Sequence, residues 1–290
     1  VAGSNEYYNY RHQSDVYHAY QLYKTLGIPE ENIIVMHYDD IANHRSNPKK
    51  GTVINYPDGP NNYVDIPKDY VGKDVTPKNF LDVLSGKDMG PGKKTVKSGP
   101  NDRIFVFFSD HGSPGLIAFP GFEVLHAKDL IDTIEQMHNA NKYKQMVFYI
   151  EACESGSMFN NLLKDEWNVY GVTAANPYES SYACFLDKTY NAYLGDCFSV
   201  FYLLDTTQNM NKLDQIMLQD QYFSLKKQVN TSNVCQYGSK AVSEEKLADF
   251  FVGEKRVKPQ FSLGLHMPKP VIRDALSSRK VKEQYLLDMM

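Results

Sequence analysis

The chain has 290 residues and a formal charge of −4, with 42 % hydrophobic and 23 % charged residues. These values are typical of a folded globular protein, and they exclude collagen-like, low-complexity and largely disordered chains. The charge balance indicates no nucleic-acid partner, and the longest apolar runs are far shorter than the roughly 18 residues of a membrane-spanning helix. We therefore expect neither a nucleic-acid partner nor a membrane span.

The first third of the chain alternates strand-like and helix-like patterns. Residues 12–26 carry apolar side chains at helical spacing, and the β-branched run at 32–38 is typical of a buried strand. Thr76 and Pro77 are residue types that favour the N-cap and the first turn of a helix. The predicted elements, in order, are a strand end at 1–3, a helix at 12–26, a strand at 32–38, loops at 43–75 and a helix at 76–84.

The middle of the chain continues this alternation. The continuous apolar runs at 103–108 and 146–150 predict buried parallel strands, and the helical pattern at 126–142 predicts the crossover between them. A further strand is predicted at 168–174 and a long amphipathic helix at 212–229. The sequence therefore predicts an α/β fold in which a mostly parallel sheet has helices on both faces.

The last part of the chain differs in composition. Residues 253–282 carry two acidic and eight basic side chains, the basic ones being Lys255, Arg256, Lys258, Lys269, Arg273, Arg279, Lys280 and Lys282. Prolines interrupt this segment, and helix-compatible spacing resumes from Arg273. We therefore expect a main body at 1–252, followed at 253–290 by a basic linker and the start of a helical segment.

Two of the predicted strands end in residues that carry chemistry. Ser109-Asp110-His111-Gly112 follows one strand, and Glu151-Ala152-Cys153 follows the other. Because the carboxyl ends of parallel strands meet at one edge of a sheet, we expect His111 and Cys153 to lie side by side. An imidazole beside a thiol favours the nucleophilic thiolate. The backbone N–H groups of Gly112 and Cys153 are candidate donors to an oxyanion.

The other cysteines and motifs restrict the chemistry further. Cys184, Cys197 and Cys235 are too few for a disulfide framework, and their pairing stays open. The cysteines show no metal-binding spacing, and the sequence has neither a phosphate loop nor a dinucleotide-binding glycine pattern. We therefore expect no metal and no cofactor.

Motifs along the chain, to about residue 240, resemble those of the legumains, or asparaginyl endopeptidases, which are cysteine peptidases with a caspase-like fold. The motifs are Ala2-Gly3-Ser4-Asn5, Asn9-Tyr10-Arg11-His12, Tyr38-Asp39-Asp40-Ile41, Asp74-Val75-Thr76-Pro77, Ser109-Asp110-His111-Gly112, Glu151-Ala152-Cys153-Glu154-Ser155-Gly156-Ser157, Ser180-Ser181-Tyr182-Ala183-Cys184 and Leu194-Gly195-Asp196. The resemblance implies a caspase-like three-layer α/β sandwich. It makes residues 1–252 a catalytic domain with a truncated first strand, and 253–290 an activation segment with the start of a helical prodomain.

The resemblance also implies a role for each residue at the site. Cys153 would be the nucleophile, His111 the general base and acid, and Asn9 the residue that orients the imidazole. The pocket for the residue before the cleaved bond would be formed by Arg11, Glu151, Ser181 and Asp196, with His12 and Ser180 nearby. An Asn side chain offers one acceptor and one donor group, so a pocket with an Arg opposite carboxylates can form hydrogen bonds with both groups. We expect cleavage after Asn, and weaker cleavage after Asp at acid pH.

Further expectations concern processing and partners. A basic tail over an acidic pocket would be released at acid pH, so we expect an autoprocessing zymogen, with Asp274 as the candidate cleavage site. In some legumains the residue equivalent to Asp110 is a succinimide, which suggests ligase activity as well. The sequon at Asn230 and the resemblance together indicate a glycosylated protein of the secretory pathway, lysosomal, vacuolar or secreted. The partners implied are protein and peptide substrates, the chain's own prodomain and cystatin-type inhibitors.

Two alternatives stay open at this point. The catalytic subunit of the glycosylphosphatidylinositol transamidase shares the Asn-Tyr-Arg-His run and the His and Cys positions, but it typically carries Gly-His-Gly and Asp-Thr-Cys-Gln sequences. This chain has Asp110-His111-Gly112 and Glu151-Ala152-Cys153-Glu154 instead. A catalytically inactive relative that serves as a binding module is the second alternative, and the intact Asn9, His111 and Cys153 argue against it.

Overall fold

The computed structural model of the chain describes residues 1–253 and 272–288. The strands are β1 Met36–His37, β2 Tyr70–Val71, β3 Arg103–Ser109, β4 Gly112–Ser113, β5 Leu116–Phe119, β6 Glu123–His126, β7 Gln145–Glu151, β8 Val169–Thr173, β9 Tyr182–Asp187, β10 Ala192–Asp196, β11 Cys235–Gly238 and β12 Leu276–Ser277. The helices are α1 Tyr10–Thr25, α2 Pro77–Leu84, α3 Ala127–Asn139, α4 Cys197–Gln208, α5 Leu218–Gln228, α6 Lys240–Ser243, α7 Ala248–Phe251 and α8 Val281–Asp288.

A mostly parallel sheet forms the centre of the fold. Strands β3, β7 and β8 pair in parallel, and β11 adds an antiparallel edge beside β8. On the other side of β3, the segment Val1–Gly3 bridges to Ser109 and bonds to β1, which pairs in parallel with β2. The predicted strand end at residues 1–3 is therefore confirmed.

Helices cover both faces of this sheet because side chains alternate along each strand. Phe107 of β3 and Tyr149 of β7 enter the core beneath α1, α4 and α5, whereas Phe108 and Phe148 enter the core beneath α2 and α3. The three-layer α/β fold predicted from the sequence is confirmed. Among the described residues, no helix is both long and apolar enough to cross a bilayer.

Most elements predicted from the sequence occur with small shifts of their ends, but two of them differ more, and one region was not predicted. The predicted strand at 32–38 is reduced to β1, because Glu30–Asn32 form a 3₁₀ helix and the Val35 amide donates to the Asp69 carboxylate. The predicted helix at 212–229 begins only at Leu218, after a turn in which Met217 bridges to Lys246. Residues 182–208 form β9, β10 and α4, which the sequence reading did not predict.

The C-terminal segment also differs from expectation. Helical structure was predicted from Arg273, whereas residues 276–277 form a short strand and α8 starts at Val281. This strand pairs antiparallel with β9, so the sheet β10-β9-β12 has the tail as its third strand. The greater part of the predicted basic linker, residues 254–271, lies outside the described residues.

Candidate active site

The two predicted strand ends meet at the carboxyl edge of the central sheet. The register pairs Ser109 of β3 with Glu151 of β7, and the Asp110 amide donates to the Glu151 carbonyl at 3.0 Å. The backbone of Gly112 then passes so close to Cys153 that a Cβ atom on this glycine would lie 2.2 Å from the Cys153 carbonyl oxygen. Only glycine fits this close approach, so it brings the His111 and Cys153 segments into contact.

The imidazole of His111 is held by Asn9. The Asn9 Oδ1 atom lies 2.8 Å from His111 Nε2, and the Asn9 amide nitrogen donates to the Asn5 carbonyl at 2.9 Å. Because the Asn9 oxygen only accepts, His111 donates through Nε2, which leaves Nδ1 as the basic nitrogen. In this tautomer Nδ1 is free to accept a proton.

Burial sets the charge state of this pair. Desolvation, together with the nearby guanidinium groups of Arg11 and Arg279, lowers the pKa of His111 to about 3. Burial also raises the pKa of the Cys153 thiol, although its hydrogen bonds with the backbone and side chain of Ser181 act in the opposite direction. In the conformation described here, the pair is therefore a neutral thiol and a neutral imidazole.

A buried ionic pocket lies next to this pair. Arg11, at the start of α1, donates through Nε to Asp196 Oδ1 at 2.9 Å. Glu151 accepts bonds from the backbone and side chain of Ser199 at 3.0 and 3.1 Å, through Oε2 alone. Within the described residues, Arg11 Nη2, Glu151 Oε1 and Asp196 Oδ2 are buried and have no hydrogen-bond partner. The pocket therefore offers one donor and two acceptors to a bound group.

His12 connects this pocket to Asp110 and His111. Its Nδ1 lies 2.7 Å from Ser4 Oγ and 3.0 Å from Asp110 Oδ1, and its Nε2 lies 3.6 Å from Asp196 Oδ2. Its ring also packs edge-on against that of His111 with 4.9 Å between the centroids. Burial holds its pKa well below the ordinary value, so His12 is a neutral bridge.

Among the described residues, His12, Asp110 and His111 form the group whose ligand atoms could converge on a metal ion. Atoms of His12, Asp110 and His111 lie within 4.8 Å of one another. Their ring nitrogens already bond to Ser4 and Asn9, and the Arg11 guanidinium acts electrostatically on both rings. These bonds hold one nitrogen of each ring, whereas His12 Nε2 and Asp110 Oδ1 have no hydrogen-bond partner among the described residues.

The tail segment covers the pocket. The Ser278 amide donates to the Ser181 carbonyl at 3.0 Å, and its hydroxyl lies 3.3 Å from Asp196 Oδ1. Arg279 forms an ion pair with Glu154, the residue after Cys153. Ser180 is half-buried beside Ser181. The tail thus extends along β9 with one side chain in the pocket and the next one over the Cys153 loop.

Two further contacts anchor the tail. The Asp274 carboxylate accepts bonds from the backbone amides of Phe185 and Leu186 at 3.1 and 2.6 Å. The ammonium group of Lys282 lies 5.0 Å from the ring centre of Tyr8. Asp274 is therefore bound to β9, four residues before the one that enters the pocket.

Sequence reasoning missed several residues at the site. Ser199 and Ser278 were not singled out, because no local pattern connects them to Cys153, and Arg279 was named only as one of the basic residues of the tail. Asp15 was also missed, although its position four residues after Arg11 on the same helix places both on one helix face. Elsewhere, Asn230 is exposed, and the cysteines Cys184, Cys197 and Cys235 are all free thiols.

The fold and the site together define a caspase-like α/β protein with a cysteine and a histidine at the carboxyl edge of its sheet. The model of the Peptidase C13 family matches residues 1–254. The chain therefore belongs to the Peptidase C13 family.

Similar proteins carry related names. The chain is 52 % identical to the legumain of Rattus norvegicus over 268 residues, which are 91 % of this chain and 60 % of the relative. It is 52 % identical to the legumain of Homo sapiens over 255 residues, 86 % of this chain and 58 % of that protein. It is 42 % identical to the vacuolar-processing enzyme delta-isozyme of Arabidopsis thaliana over 291 residues, 95 % of this chain and 62 % of the relative. The chain thus spans about 60 % of the length of these relatives.

Proposed function

We propose that the protein is a legumain-type cysteine endopeptidase that cleaves peptide bonds after Asn. One observation supports the specificity: Arg11, which is paired with Asp196, has an unpaired buried donor, and Glu151 and Asp196 each have a buried oxygen without a partner among the described residues. An Asn side chain supplies the carbonyl oxygen and the amide group that satisfy both kinds of atom. A side chain with only one of these groups leaves a buried polar atom unpaired, which lowers its binding strongly.

The chemistry follows from the pair at the sheet edge. The basic Nδ1 of His111 takes the Cys153 proton, and the sulfur attacks the carbonyl carbon of the bound peptide. The backbone N–H groups of Gly112 and Cys153 donate to the oxyanion. When the C–N bond breaks, His111 returns the proton to the leaving amine, and water then hydrolyses the acyl-enzyme. Asn9 keeps the imidazole in the tautomer that this cycle requires.

The same pocket explains an acid-dependent cleavage after Asp. A substrate carboxylate is repelled by Glu151 and Asp196, whose pKa values are raised by burial and, for Glu151, by the neighbouring Asp196. As the pH falls through these raised pKa values, the pocket acids gain protons and the repulsion is relieved. Cleavage after Asp should therefore increase towards acid pH, and cleavage after Asn should not require this change.

We further propose that the chain is an acid-activated zymogen, with 1–252 as its catalytic domain and 253–290 as its activation segment. The position of Ser278 in the pocket and the Arg279–Glu154 ion pair support this role for the tail. Burial raises the pKa of Glu154, so this carboxylate is protonated as the pH falls and the ion pair with Arg279 is lost. Asp274 remains our candidate for the cleavage site, reached once the tail has left β9.

A ligase activity would use the same acyl-enzyme, with a peptide amine in place of water as the attacking group. Asp110 is the candidate for a succinimide. Its buried carboxyl contacts the backbone N–H of His111, and burial keeps the pKa of this acid well above its ordinary value. Attack of that nitrogen on the protonated carboxyl forms the ring and releases water.

The location and partners complete the proposal. The exposed Asn230 is accessible to glycosylation, which supports a protein of the secretory pathway, either lysosomal, vacuolar or secreted. Its partners would be protein and peptide substrates, its own prodomain and cystatin-type inhibitors.

A peptide assay tests the proposed activity. Fluorogenic peptides that differ only in Asn, Asp or Ala before the reporter are incubated with acid-treated protein from pH 4 to pH 7. We expect hydrolysis of the Asn peptide, hydrolysis of the Asp peptide only at the acid end, and none of the Ala peptide. The Cys153→Ala variant is the control and should be inactive. Equal rates on Asn and Asp peptides at neutral pH would contradict the specificity, and no labelling of Cys153 by a thiol-reactive probe would favour the inactive binding module.

A pair of tail variants tests the zymogen. Arg279→Ala removes the ion pair with Glu154, whereas Lys280→Ala removes an exposed neighbouring charge. We expect Arg279→Ala to be active at a higher pH than the wild type and Lys280→Ala to activate normally. Mass spectrometry after acid treatment should show shortening that Asp274→Ala slows. A full-length chain with full activity would contradict an inhibitory role for the tail.

A further inference from the structure

Asp15 occupies a position behind the pocket that none of the proposed steps uses. It lies on α1, one turn after Arg11, and is completely buried. Its Oδ2 lies at hydrogen-bond distance, 3.0 Å, from Ser109 Oγ, and its Oδ1 accepts a bond from the Asn55 side chain at 2.8 Å. The backbone amide of Asp196 also approaches Oδ1, at 3.3 Å.

These contacts connect both parts of the site. Ser109 is the last residue of β3 and leads directly into His111, while Asp196 is the last residue of β10 and belongs to the pocket. A single carboxyl group therefore holds the two strand ends that carry the general base and the pocket acid. Asn55 extends this connection, because its amide also donates to the Leu194 carbonyl in β10 at 3.2 Å.

The charge around Asp15 is unbalanced. Its titratable and charged neighbours on the elements packed around it are Arg11 and His18 on α1, Glu151 on β7, Cys184 on β9, Asp196 on β10 and Tyr202 on α4. Burial lowers the pKa of His18 to about 4, so this imidazole is neutral and supplies no positive charge. Among the described residues around Asp15, Arg11 is then the one cation beside three buried carboxyl groups, and it is paired with Asp196.

Three buried carboxylates beside a single guanidinium would leave uncompensated negative charge in a medium of low dielectric constant. Burial, followed by the charges of Asp196 and Glu151, raises the pKa of Asp15 well above its ordinary value. The protonated, neutral form of Asp15 is consequently favoured at acid pH. When it ionises at higher pH, it places a further charge directly behind Asp196.

We propose that Asp15 is a positioning residue of the peptidase site. As a neutral acid it holds the ends of β3 and β10 together, and its ionisation towards neutral pH weakens this connection. The inference rests on the proposed function for its kinetic part. It makes the working pH range of the site depend on a residue that touches neither the substrate nor Cys153.

Two substitutions separate position from charge. Asp15→Asn keeps the size of the side chain and most of its hydrogen bonds but cannot ionise, whereas Asp15→Ala removes the hydrogen bonds that connect β3 and β10. The matched control is Asp205→Asn, because Asp205 is also buried and accepts bonds from Gln221 and Ser224, at 3.1 and 2.9 Å, between α4 and α5. Activity on the Asn peptide is measured from pH 4 to pH 8 with acid-treated full chains.

At acid pH we expect Asp15→Asn to retain kcat/KM within about threefold of the wild type and Asp15→Ala to lose at least about tenfold. The activity of Asp15→Asn should persist to higher pH, so that the decrease of kcat/KM towards neutral pH occurs about one pH unit higher than in the wild type. The pH profile of Asp205→Asn should follow that of the wild type. A profile of Asp15→Asn that superimposes on the wild type, or a loss at acid pH equal to that of Asp15→Ala, would overturn the proposal.

A second measurement needs no substrate. A group with a raised pKa in the folded state binds its proton more tightly there than in the unfolded chain, so it makes stability fall as the pH rises towards that pKa. The melting temperature of Asp15→Asn should therefore fall less between pH 5 and pH 8 than that of the wild type or Asp205→Asn. Parallel melting profiles would contradict the inference about Asp15. Failure of the wild type to cleave the Asn peptide would refute the proposed function alone.

Discussion

Helices α1 and α3 flank opposite faces of the same sheet and differ in what they bury. The buried residues of α3 form an apolar stripe of Ala127, Leu130, Ile131, Ile134 and Met137. In α1 every residue except Lys24 is buried, including Arg11, His12, Gln13, Ser14 and Asp15. One helix therefore follows the usual amphipathic pattern, and the other buries a row of polar and charged groups.

The difference shows where the fold is organised for chemistry. A buried polar group destabilises a protein unless it finds a partner, and the polar residues of α1 find theirs in distant segments. Gln13 bonds to Asp40, and Ser14 bonds to the Ile54 carbonyl. The polar atoms that lack partners among the described residues include those of Arg11 and Asp196 in the pocket. Helix α3 stabilises the fold, whereas α1 positions the site.

The sharpest test of this contrast is Arg11→Met, which keeps the length of the side chain and removes its charge. Asp196 and Glu151 would remain buried without their cation, and the pocket would lose its donor. We expect kcat/KM on the Asn peptide to fall by about a thousandfold, because uncompensated buried charge and a lost hydrogen bond act together. Lys24→Met, at the other end of the same helix where the side chain is partly exposed, is the control, and a loss of less than tenfold for Arg11→Met would refute the role of Arg11.

On α3 the expected effect is on stability and not on turnover. Ile134 is completely buried, and Ile134→Ala should reduce the free energy of unfolding by about 2–5 kcal/mol through lost packing and the cavity left behind. Urea denaturation measures this change, with Ile134→Val as the milder control. The activity per folded molecule should equal that of the wild type, and a lower kcat for the folded enzyme would show that α3 contributes to the site.

The smallest effect is expected on the outer surface of α3. Lys128 and Asp132 form an exposed ion pair at a spacing of four residues. Solvent screens such a pair, so Lys128→Ala should leave both the melting temperature and the activity unchanged. A clear decrease in the melting temperature would mean that the surface charges of α3 matter as much as its apolar stripe.

The sequence predicted the parts of the molecule that depend on local pattern. Thr76 caps α2 and accepts a bond from the Asn79 amide, as its residue type indicated. His111 and Cys153 were predicted to meet because each follows a recognisable buried strand, and the register of β3 and β7 confirms that both segments reach the same edge. The family resemblance was confirmed by the match to the Peptidase C13 family.

The missed features depend on contacts between distant parts of the chain. Asp15 acquires its position from Ser109 and Asp196, which are 94 and 181 residues away. Ser278 enters the pocket only because β12 pairs with β9, a contact that no local periodicity specifies. The start of β1 similarly depends on another segment, because the Val35 amide just before this strand donates to the Asp69 carboxylate. Secondary-structure propensity depends on the local sequence, whereas contacts between distant segments determined these three features.

The pairing of β12 with β9 affects the tendency of the protein to aggregate. Strand β9 lies between β10 and the tail, so that departure of residues 276–277 leaves a row of backbone groups without partners. An open edge of this kind binds extended peptides, and it also invites pairing between molecules, which leads to aggregation. As long as the tail occupies β9, it closes that edge and keeps the molecule from self-association through this strand.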